Sequence, residues 1–310
     1  MSDAPRRNGP AAGETAAAEA FLDTRGLLFA VAYRMLGSVA EAEDVVQDAW
    51  LAWSRTDRAE VREPAAYLVR TATNLAVDRL RSARARRELY VGPWLPEPLL
   101  TAPDVAEDVV AGAELTESVS MALLVVLETL SPLERAVFVL REAFGYSHAE
   151  VAGILGRSEA SVRQLAHRAR EHVEARRPRF DADDEQRRAV VERFRAACEG
   201  GELADVLAVL SPGVTAWTDG GGKVTAARRP LRGADHVARW MLGVLAKPVV
   251  RGVRLEPAVV NGEPGLVAVL GGQRIGALSL DVADGAVTAV RFQLNPEKLR
   301  GLQPPDAGVS

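Results

Sequence analysis

Arg163, Gln164, His167, Arg168 and Arg170 fall on one side of a helical pattern whose other side is Val162, Leu165, Ala166, Ala169 and Val173. Arginine and glutamine can hold guanine and adenine edges, and arginine also binds phosphates, so the chemistry on offer is nucleic-acid recognition. A plain helical hairpin with a solvated basic face is the competing reading. A second basic run, Arg79, Arg81, Arg84, Arg86 and Arg87, occupies nine residues. An acidic group, Glu41, Glu43, Asp44 and Asp48, occupies eight, and suits a basic protein surface better than DNA. In the last third, Asp219, Asp235 and His236 are the polar groups an acid–base site would use. Asp219 also reads as part of a glycine-rich hairpin turn, and His236 as an ordinary helix-face residue.

The elements that position these groups follow from periodicity. Ser147 to Ala175 reads as a short helix opened by the capping box Ser147–Glu150, a turn Gly156-Arg157-Ser158, and an Arg-rich helix capped by Ser158, the layout of a helix-turn-helix. Upstream, apolar spacing predicts helices over about 19–35, over 39–55 with Ser38 and Glu41 as a capping box, and from Pro64 into the first Arg run. Residues 90–105 carry Pro93, Pro96, Pro98 and Pro103 with Val91, Trp94, Leu95, Leu99 and Leu100. They predict an irregular linker too apolar for free solvation, hence packed on a domain. Helical signals return from Glu107, and Ser131-Pro132-Leu133-Glu134 reads as a capped helix start. After Pro178 an acidic stretch reads as a second linker. Two helices follow, near 187–199 and 203–210, and then short strands at 214–217, 249–255, 258–260, 265–270, 277–282 and 287–294. Glycine-bearing turns separate the strands, and one helix, 233–245, interrupts them. The expected fold is multidomain: all-α modules followed by an α+β domain with a curved antiparallel sheet.

Composition agrees with such a protein and excludes others. The net charge is −4, but residues 1–184 hold 22 arginines against 29 acidic residues (−7), and residues 185–310 hold 16 basic against 13 acidic (+3). A negative total does not exclude a nucleic-acid partner, because phosphate contacts need only a local basic patch. One cysteine, Cys198, excludes an internal disulfide framework and a cysteine-rich zinc site, and reads as a buried small hydrophobe. No apolar run approaches the roughly 18 to 20 residues of a membrane span, and Met1 to Pro10 is polar, without the core of a signal peptide. The expectations are a cytoplasmic location, no membrane, no metal and no cofactor.

The motifs together resemble the extracytoplasmic-function sigma factors, the subunits that direct bacterial RNA polymerase to promoters. Residues Ala40 to Trp53 (AEAEDVVQDAWLAW) are similar to the family's regions 2.1 and 2.2. Residues Glu63 to Arg86 (EPAAYLVRTATNLAVDRLRSARAR) resemble regions 2.3 and 2.4, and Leu130 to Glu171 resemble region 4. The resemblance implies core RNA polymerase as partner, through its β′ clamp coiled coil and β flap. The clamp would be met by Glu41, Asp44, Val45, Gln47, Asp48 and Trp53. It implies promoter DNA as the second partner. Asn74, Asp78, Arg79, Arg81 and Arg84 would then act at the −10 element, and Ser161, Arg163, Gln164, His167, Arg168 and Arg170 at the −35 element. His167 stands where the family often has an aromatic residue.

The last third is similar to the SnoaL-like branch of the NTF2-like fold, an α+β cone with a pocket. Three segments match the sigma factors that carry such an extension: WLPEP (Trp94 to Pro98), DGGGK (Asp219 to Lys223) and NPEKL (Asn295 to Leu299). The resemblance implies regulation in cis, and the expected interdomain dock uses Trp94, Leu95, Pro96, Asp219, Gly220, Gly221, Gly222, Asn295, Pro296 and Lys298. A small ligand in the pocket stays open, and catalysis is not expected. The expected segments are 1–16 disordered, 17–89 region 2, 90–112 linker, 113–178 region 4, 179–185 acidic linker, 186–300 the SnoaL-like domain and 301–310 tail. Two alternatives stay open. One is a ligand-responsive DNA-binding regulator without a polymerase partner, and the other is a SnoaL-like enzyme fused to a DNA-binding segment.

Overall fold

The computed structural model describes residues 12–57, 61–101, 120–176 and 183–303, with the side chains of residues 12–16, 83–86 and 88 left aside. Of the segment 1–16 expected to be disordered, residues 1–11 lie outside these residues and 12–16 belong to a helix; the helix beginning at Glu107, most of the acidic linker and residues 304–310 also lie outside them. The chain divides into two compact units, described separately here. The first comprises Met1–Leu36, Ala40–Arg81 and Pro132–Ala169, and the second Gly37–Val39, Ser82–Ser131 and Arg170–Ser310, each in its described part. This division cuts across the seven expected segments, which stand as a proposal on sequence organisation.

The first unit is helical. It holds α1 (Ala12–Leu36), most of α2 (Val39–Arg55), α3 (Pro64–Glu88) up to Arg81, and most of α7 (Glu159–Glu174). It also holds α5 (Pro132–Phe138), which runs on through a π-helical turn at Val139–Ala143, and α6 (His148–Leu155). The i, i+3, i+4 spacing of Ala42, Val45, Val46, Ala49 and Trp53 buries one face of α2 as expected. The buried ring of Trp53 still needs a partner for its N–H, and donates it to the Ala17 carbonyl at 3.0 Å. The Ser147–Glu150 capping box forms in both directions, at 3.2 and 2.7 Å. Gly156 (φ 61°) ends α6, and the Ser158 hydroxyl accepts from the Ser161 amide at 3.3 Å to start α7.

The second unit contains α4 (Met121–Leu127), the described part of the 90–105 linker and an α+β fold. That fold comprises α8 (Asp184–Gly200), α9 (Leu203–Val209), β1 (Leu210–Asp219), β2 (Leu231–Arg232), α10 (Ala234–Leu245), β3 (Arg254–Val260), β4 (Glu263–Leu270), β5 (Gln273–Ala283) and β6 (Ala286–Gln293). A 3₁₀ helix, Pro296–Leu302, closes it. The sheet order is β2-β1-β6-β5-β4-β3, antiparallel except for the parallel pair β1–β6. Register shifts in β1–β6, β4–β5 and β5–β6 bend it. Asn261-Gly262, Gly271-Gly272 and Asp284-Gly285 all hold positive φ, the geometry of two-residue hairpin turns. Phe194, Val206, Val237, Met241, Leu266 and Leu278 belong to the core between helices and sheet.

Several expectations shift. Val249 is exposed in a short 3₁₀ turn, Pro248–Val250, rather than in a strand. Residues 254–260 form one strand through Pro257, because β3 is a sheet edge, where a missing N–H is tolerated. The two-residue β2 carried no readable pattern. The acidic stretch ends in structure: the Asp183 carboxylate accepts from the Gln186 amide at 2.8 Å and caps α8, with Asp184 and Glu185 in its first turn.

Candidate nucleic-acid interface and the linker clasp

In the first unit, α7 divides by face as expected. Val162, Leu165, Ala166 and Ala169 are buried, while Arg163, Gln164, His167 and Arg168 are exposed and Ser161 is half-buried. Two of the cations are held internally. Arg163 pairs with Glu159 one turn back, and Arg168 Nε donates to Glu134 Oε1 at 2.9 Å. The Arg163–Glu159 pair is exposed on both sides, and such pairs are worth only about 0.2–1 kcal/mol, so a phosphate can replace it, whereas Glu134 is buried. Glu134 therefore does more than open α5: it fastens α5 to α7. Arg170 is exposed and belongs to the second unit.

The α3 residues are engaged in the same unit. Arg79 bridges Asp44 (3.0 Å) and Asp48 (2.6 Å) on α2, and Arg81 pairs with Asp78 at 2.7 Å. Asn74 Nδ2 donates to the Ile154 carbonyl of α6 at 3.3 Å. The buried Arg135 of α5 donates to the Met35 carbonyl near the end of α1 at 2.6 Å, and desolvation pushes its pKa down to about 9. The one hydrogen bond from Asn74 links α3 to the first helix of the helix-turn-helix. The side chain of Arg84 lies outside the described residues. On α2, Glu41, Asp44, Gln47 and Asp48 reach the surface, but Val45 and Trp53 do not. These two are corrected from contact residues to core residues, because their apolar spacing serves the interior of the unit.

In the second unit the expected dock residues come together around one buried carboxylate. Asp219, the last residue of β1, is fully buried and accepts hydrogen bonds through both oxygens. Oδ1 receives the Tyr90 hydroxyl at 2.6 Å and the Gly221 amide at 3.1 Å. Oδ2 receives the Leu95 amide at 2.8 Å, the Lys298 ammonium at 2.7 Å and Gln293 Nε2 at 3.4 Å. Lys298 also donates to the Leu95 carbonyl at 2.6 Å, and Gln293 to the Pro96 carbonyl at 3.0 Å. Linker backbone polar groups, which water would otherwise satisfy, thus find their partners on the α+β fold.

Two cations meet the Trp94 ring, Arg87 at 3.7 Å and Lys298 at 4.1 Å from its centroid. Arg87, near the end of α3, also pairs with Glu128. Burial pushes the Lys298 pKa down to about 8, against the opposing pull of Asp219. Burial and Asp219 push the Tyr90 phenol upward, so it stays protonated and donates. Asn295 Nδ2 reaches the Tyr90 oxygen at 2.8 Å, and Asn295 Oδ1 caps the last 3₁₀ helix by accepting from Glu297. Pro296 opens that helix and is exposed.

The glycines of the turn are there for space. Gly221 has φ 59°, and a Cβ on it would stand 2.6 Å from Asn295 Cγ and 3.0 Å from the Tyr90 oxygen. A Cβ on Gly220 would meet the Val224 carbonyl at 2.7 Å. Further along, the linker continues the sheet. Leu100 bridges Val260 on β3, Asn261 N donates to the Leu99 carbonyl at 2.8 Å, and Thr101 N donates to the Val259 carbonyl at 3.0 Å. Glu97 accepts from the Ser38 hydroxyl at 3.1 Å and from the Val39 amide, so Ser38 turns to the linker rather than serving Glu41 alone. Sequence reasoning missed Tyr90, Gln293 and Glu97 as clasp residues. Tyr90 and Gln293 flank the matched segments, and Glu97 sits inside WLPEP.

The other polar candidates are not brought together. His236 is exposed, and Asp235 is exposed and paired with Arg239 at 2.8 Å. Asp219 is spent on the linker. An apolar cavity of about 90 Å³ lies between α10 and the sheet, lined by Cys198, Trp240, Met241, Leu255, Leu278 and Phe292 among others. It is smaller than the roughly 150 Å³ apolar cavity that takes up benzene. The Cys198 thiol there is pushed up to about 12 by burial, then by Glu199, which keeps it unreactive.

Comparison with known proteins agrees with this geometry. The sigma-70 region 2 family model matches residues 21–86, and the sigma-70 region 4 model matches residues 120–173. The chain is 42% identical to the ECF RNA polymerase sigma factor SigJ of Mycobacterium tuberculosis over 284 residues, covering 88% of this chain and 90% of that protein. It is 32% identical to the probable ECF RNA polymerase sigma factor SigI of the same species, covering 90% and 93%. The crystal structure of M. tuberculosis SigJ superposes with a TM-score of 0.74 at 38% identity, over 92% of this chain and 98% of that one. With both regions matched and relatives aligned through the α+β fold as well, the chain belongs to the extracytoplasmic-function sigma factor family.

Proposed function

We propose that this sigma factor recruits core RNA polymerase to specific promoters and that its α+β domain restrains it in cis by holding the linker. Transcription initiation follows from family membership, and a regulator without a polymerase partner is not favoured. The finer assignments are our reading. The exposed acidic side chains of α2 meet the β′ clamp coiled coil, region 4 meets the β flap, and the outward side chains of α7 read the −35 element. The remaining α3 residues act at the −10 element, in the cytoplasm where the polymerase works.

The observation that carries the restraint is the clasp, in which one buried carboxylate accepts from Tyr90 and Leu95 of the linker. A separate observation concerns the first unit, without the linker. Asn74 is bound to Ile154 and Arg79 to two carboxylates, so promoter engagement has to exchange these contacts for DNA. A docked linker shortens the reach available to the two promoter-reading regions. No catalytic role is assigned to the α+β domain, because Asp219, Asp235 and His236 do not share a site. The test is run-off transcription with purified core polymerase, comparing the parent with Trp94→Ala over a range of salt. Promoter-specific transcript, increased in the variant, is expected. No transcript at a promoter that the protein binds would refute the initiation assignment. Equal transcript at every salt would refute the dock.

A further inference from the structure

A polar cleft of about 470 Å³ opens beside the clasp, in the size range of small-molecule sites. Val91 and Gly92 of the linker form one wall, Thr218 and the glycine turn another, and the segment from Lys223 to Arg228 the third. No carboxylate side chain lines it, whereas two cations, Lys223 and Arg228, and the Thr225 hydroxyl do; the Thr218 hydroxyl, also in the lining, donates to the Ala227 carbonyl at 3.0 Å. Arg228 is exposed and pairs with no carboxylate among the described residues. Lys223 reaches out to Glu297 at 2.8 Å, a half-exposed pair that an incoming anion can displace. The linker lies close to this surface: a Cβ on Gly92 would be 3.7 Å from Arg228 Cα, and one on Gly222 would be 3.3 Å from Val91 Cβ.

We propose that this cleft binds a small multivalent oxyanion, a metabolite bearing phosphate or carboxylate groups, gripped by Lys223 and Arg228 and walled on one side by the linker. Guanidinium and ammonium groups with a hydroxyl donor, and no competing carboxylate in the lining, select oxygen anions by charge-assisted hydrogen bonds. Only Pro93 separates Val91 and Gly92 from the clasped Trp94 and Leu95, so an occupied cleft braces the docked linker. The inference goes beyond the restraint proposed above. Binding is measured on the free chain without polymerase, so its failure leaves that reading standing.

The experiment is isothermal titration calorimetry of the full chain at fixed ionic strength, with inorganic pyrophosphate and citrate as probes of the phosphate and carboxylate sources. One site with a Kd of about 1 mM or tighter is expected for at least one probe. Lys223→Ala/Arg228→Ala should weaken it at least tenfold, and Arg251→Ala, an exposed arginine outside the cleft, should leave it unchanged. Glu297→Gln should tighten binding about two- to fivefold by releasing Lys223. Absence of binding by both probes would overturn the proposal. So would equal weakening in Arg251→Ala, which would mark general charge attraction.

Discussion

Replacing Asp219 by alanine removes the acceptor of five hydrogen bonds from three parts of the second unit. The Lys298 side chain is 9% exposed and that of Asp219 is fully buried, so the variant strands an ammonium group beside two aromatic rings. Breaking a buried pair on one side costs about 3–5 kcal/mol. The orphaned Leu95 amide and Tyr90 hydroxyl each add about 1–3 kcal/mol if they stay buried. The chain has a cheaper route: the linker lifts off and water takes over these groups. The loss therefore stops at the free energy that holds the linker down, and it appears as local opening rather than global unfolding. A loss of about 3 kcal/mol corresponds to exchange of the Leu95 amide roughly a hundredfold faster, read by hydrogen–deuterium exchange on the full chain. Lys298→Met in the same chain removes the stranded charge and should restore much of the protection, because replacing both members of a buried pair by apolar groups is often neutral. Leu95 exchange within about threefold of the parent in Asp219→Ala would refute the reasoning.

Other outcomes follow from the same geometry. Gly221→Ala should destabilise the second unit by about 1–3 kcal/mol, since the added Cβ meets Asn295 and Tyr90 at a left-handed backbone position; denaturant unfolding followed by tryptophan fluorescence measures it. Gln164→Ala in the holoenzyme should lose about 1–3 kcal/mol of discrimination at one −35 base pair with little change in stability, measured by binding to singly substituted promoters. Glu263, pushed up to about 7 by burial and then by Asp281, binds its proton more tightly in the folded state than in the unfolded one. The stability this contributes is present below about pH 4.5 and is lost as pH rises to about 7; Glu263→Gln should flatten that decline in a series of urea titrations.

What could be read from the chain depended on whether the signal was local. The Ser147–Glu150 box, the Gly156 stop and the buried stripe of α7 are written within a few residues of one another, and they form as read. The paired turns Asn261-Gly262 and Asp284-Gly285 are equally local, and they divided the sheet correctly. The clasp was legible only as three matching segments. That Asp219 is a buried acceptor rather than a turn residue depends on Tyr90 and Leu95, over a hundred residues away in sequence, and no periodicity encodes it. Val45 and Trp53 were misplaced because a residue type matching an interface motif also served the helix core. Arg87 carried no separate signal within the run of arginines, while the fold sends it to Trp94 and Glu128. The expected strands 249–255 and 258–260 are one strand from Arg254, and the tolerance of Pro257 within it depends on the edge position of β3.

The restraint itself is best tested by locking it. Leu100 and Val260 face each other as a non-hydrogen-bonded antiparallel pair, since their neighbours Leu99–Asn261 and Thr101–Val259 carry the backbone bonds. Such pairs place Cα atoms about 4.5 Å apart, within the range a disulfide spans. Run-off transcription with core polymerase would compare the oxidised and reduced forms of Leu100→Cys/Val260→Cys, with reductant added equally to the parent. If the linker must leave the α+β domain for initiation, the oxidised chain gives little transcript and reduction returns it towards the parent level. Equal transcript from the locked and unlocked chains would contradict the account.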